Sequence, residues 1–282
     1  MATEETGILP AERSSNMNVK NLRLVSQITL ALAATSFISG CNTNSGAYTE
    51  KEMYVQPFTE MLQFHGQIAW DQSSVIQYAT SQKVMGMTIE STTELYPHTW
   101  EITETYTSPF SCTIHESGGL VEIPVGELPE NMNAEDMINR WAYIYTAPFV
   151  LPEIGGQQYL GPVTIDGRPY DAVMVTPDES NQCPCNWYIA YVTAQGNDVG
   201  SGHLAMLRYP VPEGMPGMEG YTEQVVVYDP LTVESTPYGD LILPAHVNVY
   251  PWNGNYDDNG AEGAPVTDQP FAEVDFTFIS AS

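Results

Sequence analysis

Positive charge is the scarcest thing in this chain. Eight lysines and arginines stand against 35 aspartates and glutamates, for a net charge of −27. The first forty residues hold three of each sign, so from Cys41 onward 32 acids face 5 bases and carry the whole excess. Lys51 and Lys83 are the only lysines in that part. A chain this poor in positive charge has no electrostatic footprint for nucleic acid and no attraction for anionic headgroups. The acids are spread along the sequence rather than blocked, which reads as a solvated, salt-adapted surface, with cation capture as the alternative. Disorder is excluded, because 43% apolar and 11% aromatic residues suffice to bury a core.

Long hydrophobic runs are nearly absent too. The exception is Leu24 to Phe37, fourteen uncharged residues broken only by Ser26, Gln27, Thr29, Thr35 and Ser36. That length suits the core of an export signal and falls short of the roughly 20 residues of a spanning helix. Lys20 and Arg23 precede it, and Ile38-Ser39-Gly40-Cys41 closes it with a branched aliphatic, two small residues and a cysteine. This order is that of a bacterial lipoprotein signal. Small side chains admit the peptidase at the bilayer, and the Cys41 thiol carries the lipid that anchors the mature chain to the membrane. The reading places a dispensable extension at 1–16, the signal at 17–40 and a polar tether at 41–49, followed by one domain over 50–282. Asn42 rather than aspartate follows the cysteine. An outer-membrane location is therefore expected, with periplasmic and surface-facing orientations both open.

Cysteine is scarce as well. Beyond Cys41 there are Cys112, Cys183 and Cys185. An exported chain meets an oxidising compartment, so a disulfide among these three is expected. The one-residue spacing of "QCPCN" would make a tight ring, and a bridge from Cys112 to either partner is equally allowed. Zinc wants four ligands at regular spacing, and none accompanies the pair.

Catalytic signatures are lacking. There is no Gly-x-Ser-x-Gly elbow and no phosphate-binding glycine loop, and "HESGG" at 115–119 lacks the second histidine of a zinc-protease helix. No catalytic residue is assigned, and the chain is read as a non-enzyme without a cofactor. One stretch has the look of a cation site. "NGNYDDNGAEG" spaces Asn255, Asp257, Asn259 and Glu262 somewhat like a calcium loop. Val266 stands at its twelfth position and strands are expected on both sides, so a solvated hairpin loop is the alternative.

The remaining sequence reads as mainly β, an α+β chain built on a large antiparallel sheet. "EKEMYVQPFTEMLQFHGQIAW" has helical spacing interrupted by Pro57. Runs of period two follow, such as "HTWEITETY", where Trp100, Ile102 and Glu104 share one side, and "AEVDFTFIS", where Val274, Phe276 and Phe278 do. Asp166-Gly167, Gly196-Asn197 and Tyr238-Gly239-Asp240 mark turns. "AEDMINRWAYIY" is expected as one helix, capped by Asn133 and ended by Pro148, with Met137, Trp141, Ile144 and Tyr145 along one face. So large a sheet is expected to curl, with the few helices packed in its concave face.

Five segments in order, "HGQIAW", "APFVL", "TIDGRPYDAVMVT", "WYIAYV" and "YGDLILPAHVNVY", resemble an uncharacterised family of bacterial lipoproteins similar to the lipoprotein carriers LolA and LolB. The resemblance covers residues 58–279, with Gln67 where the family shows a second glycine after the histidine. It implies an open half-barrel plugged by helices and a role in handling lipid. The expected ligand is an acyl chain, a lipid or another apolar molecule in the half-barrel. His65, Trp70, Trp141 and Phe149 are candidates for the pocket wall, and core packing is the competing role for each. The competing functions are an envelope-interaction lipoprotein without a ligand and a calcium-binding surface protein.

Overall fold

The computed structural model describes residues 54–84, 86–130, 132, 134–138, 140–178, 187–211, 218, 220–253, 263–266 and 269–282. Outside them lie the signal and anchor positions Ile38, Ser39, Gly40 and Cys41, the Asn133 cap and the cysteines Cys183 and Cys185. The loop residues Asn255, Asp257, Asn259 and Glu262 lie outside as well.

Two helices open the described chain, α1 (Gln56–His65) and α2 (Gln67–Gln72). Pro57 sits in the first turn of α1, where its missing N–H costs nothing, so the expected break does not occur there. The break comes at Gly66, in the left-handed region at φ 91°. A Cβ at Gly66 would collide with the carbonyl oxygen of Asp240, so this position needs glycine on two counts.

Five strands follow as a meander: β1 (Ile76–Val84), β2 (Met87–Tyr96), β3 (Glu101–Ser108), β4 (Cys112–Ser117) and β5 (Leu120–Gly126). Ile102 and Glu104 are buried, as the alternation requires, whereas Trp100 is buried from the β2–β3 turn, at φ 51°, rather than from the strand. The expected central helix is two pieces, α3 (Ala134–Met137) and α4 (Arg140–Val150). Pro148 lies inside α4 instead of ending it, and a 3-10 turn (Leu151–Glu153) follows. Every residue from Trp141 to Val150 is buried, so α4 is a core helix rather than one with a single apolar face. Packing on all sides holds it through the hydrogen bond that proline removes.

A second meander contains β6 (Gly155–Ile165), β7 (Arg168–Pro177), β8 (Tyr188–Thr193), β9 (Leu204–Pro210) and β10 (Glu223–Tyr228). Asp166 and Gly167 form the β6–β7 turn with positive φ at both positions, as Asp-Gly in a tight hairpin should. The chain closes with β11 (Leu231–Thr236), β12 (Gly239–Pro244), β13 (His246–Asn253), the short β14 (Ala264–Pro265) and β15 (Ala272–Ala281).

The main sheet runs β5-β4-β3-β2-β1-β15-β13-β10-β9-β8-β7-β6, with β14 paired to β13. It is antiparallel throughout and open, with β5 and β6 at its edges. The last strand joins the two meanders, since β15 pairs β1 on one side and β13 on the other. β11 and β12 form a separate hairpin, so "LILPAHVNVY", which reads as one run, is two strands in two sheets. β12 turns Leu241 and Leu243 into the core and touches both α1 and α2.

The principal core lies between one face of the sheet and the layer made by α1, α2, α4 and the hairpin. A smaller core covers the other face of β7–β10 and β13, from Tyr170, Ile189, Tyr191, Met206, Val225 and Trp252. Strand β8 is therefore buried on both sides over its whole length, which explains the unbroken apolarity of "YIAYVT".

Candidate functional site: the junction of helices, hairpin and sheet

Helix α1 presents Phe58, Met61, Leu62 and His65 to the core at helical spacing. His65 ends the helix and is almost fully buried, yet both ring nitrogens are engaged. Nδ1 lies 2.6 Å from the carbonyl oxygen of Ile242 on β12, and Nε2 lies 3.2 Å from the amide of Leu204 on β9. The carbonyl only accepts and the amide only donates. The ring is thus the neutral Nδ1–H tautomer, donating to the hairpin and accepting from the sheet. Burial lowers its pKa to about 3, against the opposing pull of the Ile242 carbonyl.

His203, just before β9, lies beside it with ring centroids 6.1 Å apart. Phe64 covers the His203 ring at 6.0 Å. The backbone N–H of His203 donates to Thr193 Oγ1 at 2.9 Å, while its Nε2 has no hydrogen-bond partner. Burial lowers this pKa to about 4, with Asp229 pulling the other way. Nothing in the sequence reading singled out His203, because its neighbour lies 138 positions earlier in the chain.

The four expected wall residues divide. His65, Trp70 and Phe149 come together: Trp70 stacks on Phe149, and His65 meets the same Phe149 edge-on at 6.3 Å. Trp141 is buried two helical turns earlier on α4, about 12 Å along the axis. All four are at most 9% exposed, so in this structure they pack against the protein itself.

Further along the same layer, Tyr145 on α4 meets Tyr78 of β1 at 4.2 Å and Phe276 of β15 at 4.8 Å, and Tyr143 meets Tyr188 of β8 at 5.8 Å. A polar ladder crosses the inner face of β1–β3. Gln82 Nε2 donates to Thr80 Oγ1 at 3.2 Å, Thr80 and Ser91 share a bond of 2.7 Å, and Ser91 Oγ donates to Glu104 Oε1 at 2.7 Å. Burial first, then the charge of Glu104, raises the pKa of Tyr78 well above its ordinary value. The same two causes push the Cys112 thiol up to about 11. Cys112 is a free, buried thiol, and its two candidate partners, Cys183 and Cys185, lie outside the described residues. Polar side chains on the buried side of a strand carry no periodic signal that separates them from exposed ones, so the ladder was not legible in sequence.

Among the described residues no group of three His, Cys, Asp or Glu side chains is placed to hold a metal ion, and no helix is long and apolar enough to cross a membrane.

No family model matches the chain. No curated protein matches it by sequence either. Among solved structures it is similar to a DUF1329 family protein from Desulfovibrio piger, at 10% identity over 78% of this chain and 90% of that one, with a TM-score of 0.38. It is also similar to an outer membrane lipoprotein-sorting protein domain from Vibrio parahaemolyticus, at 6% identity over 80% and 92% with a TM-score of 0.35. The lipoprotein LppX of Mycobacterium tuberculosis matches at 13% identity over 55% and 87%, with a TM-score of 0.23.

Proposed function

We propose that this chain is a lipoprotein of the bacterial cell envelope, anchored through Cys41, that holds an acyl chain or another apolar ligand between its open sheet and its helical layer. The supporting observation is the construction of that layer. Helix α4 is buried from Trp141 to Val150 and lies with α1, α2 and the hairpin against a sheet that does not close on itself, so the principal core is covered by elements separate from that sheet. A ligand would enter by parting the two and replacing protein contacts with its own, apolar for apolar.

Mass spectrometry of whatever copurifies with the protein, followed by rebinding of a fluorescent fatty acid to delipidated protein, tests the reading. Trp141→Ala should weaken that binding more than it weakens the fold. A protein that copurifies with nothing and leaves the probe unbound would overturn it. Membrane retention of Cys41→Ala equal to wild type would remove the anchor.

A second reading is an envelope lipoprotein with a filled core and no ligand. The close packing of Trp70 on Phe149 favours it, because these are two of the residues expected to line the pocket. Calcium at 255–262 is a separate proposal, tested by calorimetry with calcium on the apo protein.

A further inference from the structure

We infer that His65 and His203 form an acid-operated clasp, which holds α1 and the β11–β12 hairpin on strand β9 and releases them together when the two rings are protonated. The inference is independent of whether a ligand binds.

The His65 ring ties its own helix α1 to two other elements, the hairpin through Ile242 and the sheet through Leu204. Protonation does not affect the two bonds alike. Nδ1 already carries hydrogen and keeps its bond to the Ile242 carbonyl. Nε2 gains a hydrogen and then faces the N–H of Leu204, donor against donor. The bond to the hairpin survives and the bond to the sheet is lost, so α1 and β12 part from β9 as one body.

His203 adds to the same step. Its centroid lies 6.1 Å from that of His65, so two imidazolium ions would repel each other inside the protein. Its Nε2 lacks a partner, so a proton there would be buried without an acceptor. The seam is also tight. A Cβ at Gly66 would strike Asp240 and one at Gly202 would strike the carbonyl oxygen of Glu60, leaving little room for water to hydrate either ring without separation.

The ionisable groups around the pair do not compensate. On α1, the Glu60 carboxylate takes Gln56 Nε2; on β11, Glu234 takes Thr232; on β12, Asp240 takes Ser235. Helix α4 presents the ring of Phe149. At the end of β10 the Tyr228 phenol is buried and neutral, while Asp229 and the backbone hydrogen bond to Tyr228 both favour a charged His203, less than burial opposes it. In the closed state the rings hold pKa values of about 3 and about 4, whereas a hydrated imidazole has about 6.5. Opening between pH 6.5 and 4 therefore takes up two protons.

The test is hydrogen exchange of the full-length protein between pH 6.5 and 4.5, corrected for the intrinsic pH dependence of amide exchange. The amide of Leu204 reports the clasp directly. Its opening constant should rise toward 100-fold per pH unit, about tenfold for each proton. His203→Phe should reduce that slope to about tenfold, and His65→Gln combined with His203→Phe should abolish it. Nitrogen NMR of the wild-type imidazoles, which needs no variant to fold, should show His65 as the Nδ1–H tautomer at pH 6.5. A flat Leu204 profile, the other tautomer, or β1–β3 amides opening in step with Leu204 would each overturn the clasp.

Discussion

The indole of Trp70 lies flat on the ring of Phe149, with 4.5 Å between centroids and 2° between planes. The contact ties the short helix α2 to the central helix α4 across 79 positions of sequence. α2 is only six residues long and has no stability of its own, so its place depends on such contacts.

Phe149→Ala should cost ~3–5 kcal/mol in chemical denaturation, as for other buried aromatics. A double-mutant cycle with Trp70→Ala should return a coupling of ~0.5–1.5 kcal/mol. Strict additivity would mean that the stacked pair contributes only burial.

On the outer face, Arg208 is wholly buried. Its Nε lies 2.6 Å from Glu223 Oε2, its Nη1 lies 3.2 Å from the Tyr191 hydroxyl, and its guanidinium lies 4.8 Å from the ring of Trp252. Glu223→Gln should destabilise by ~3–5 kcal/mol, because it leaves a buried cation without its anion. Arg208→Met with Glu223→Leu should recover most of that loss. A double variant as unstable as the single one would show that the cation–π contacts carry the site.

Cys112 gives a pH prediction at the alkaline end. Its folded pKa of about 11 lies above the ordinary 9.0, so the unfolded thiol ionises first. The stability from keeping this thiol neutral is complete below pH 9 and declines as pH rises from 9 toward 11. A thiol reagent at pH 8 should leave Cys112 unmodified in the native protein and label it in denaturant. Rapid native labelling of Cys112, located by peptide mapping, would contradict its burial.

The charge of −27 predicts a melting temperature that rises with sodium chloride. Self-repulsion among carboxylates weakens the fold at low ionic strength, and screening within ~10 Å at 0.1 M relieves it. Equal melting temperatures in low and high salt would leave the acidic surface without a thermodynamic effect.

The features legible in sequence are those that local geometry decides. Alternation placed Ile102 and Glu104 on one side of a strand, because successive side chains must point to opposite faces. Asp166-Gly167 marked a hairpin turn, because few residue pairs accept two positive φ angles. Apolar residues at helical spacing marked the helical segment that opens the described chain, because a helix buries a stripe of residues three and four apart.

The tertiary structure alone decided what those faces meet. The same alternation fits a strand covered on one side or on both, so the second core over β8 appeared only with the fold. Pro244 marks a candidate break in "LILPAHVNVY", but that the two halves belong to different sheets depends on the hairpin having α1 and α2 to lie on. Pro148 reads as a helix end, yet α4 passes through it because buried packing outweighs one missing hydrogen bond. His65 is a histidine on an apolar helix face until Leu204 and Ile242 reach it from 139 and 177 positions away. Spacing along a chain registers neighbours within a few residues, whereas the protonation of that ring is set by groups that only the folded sheet and hairpin bring to it.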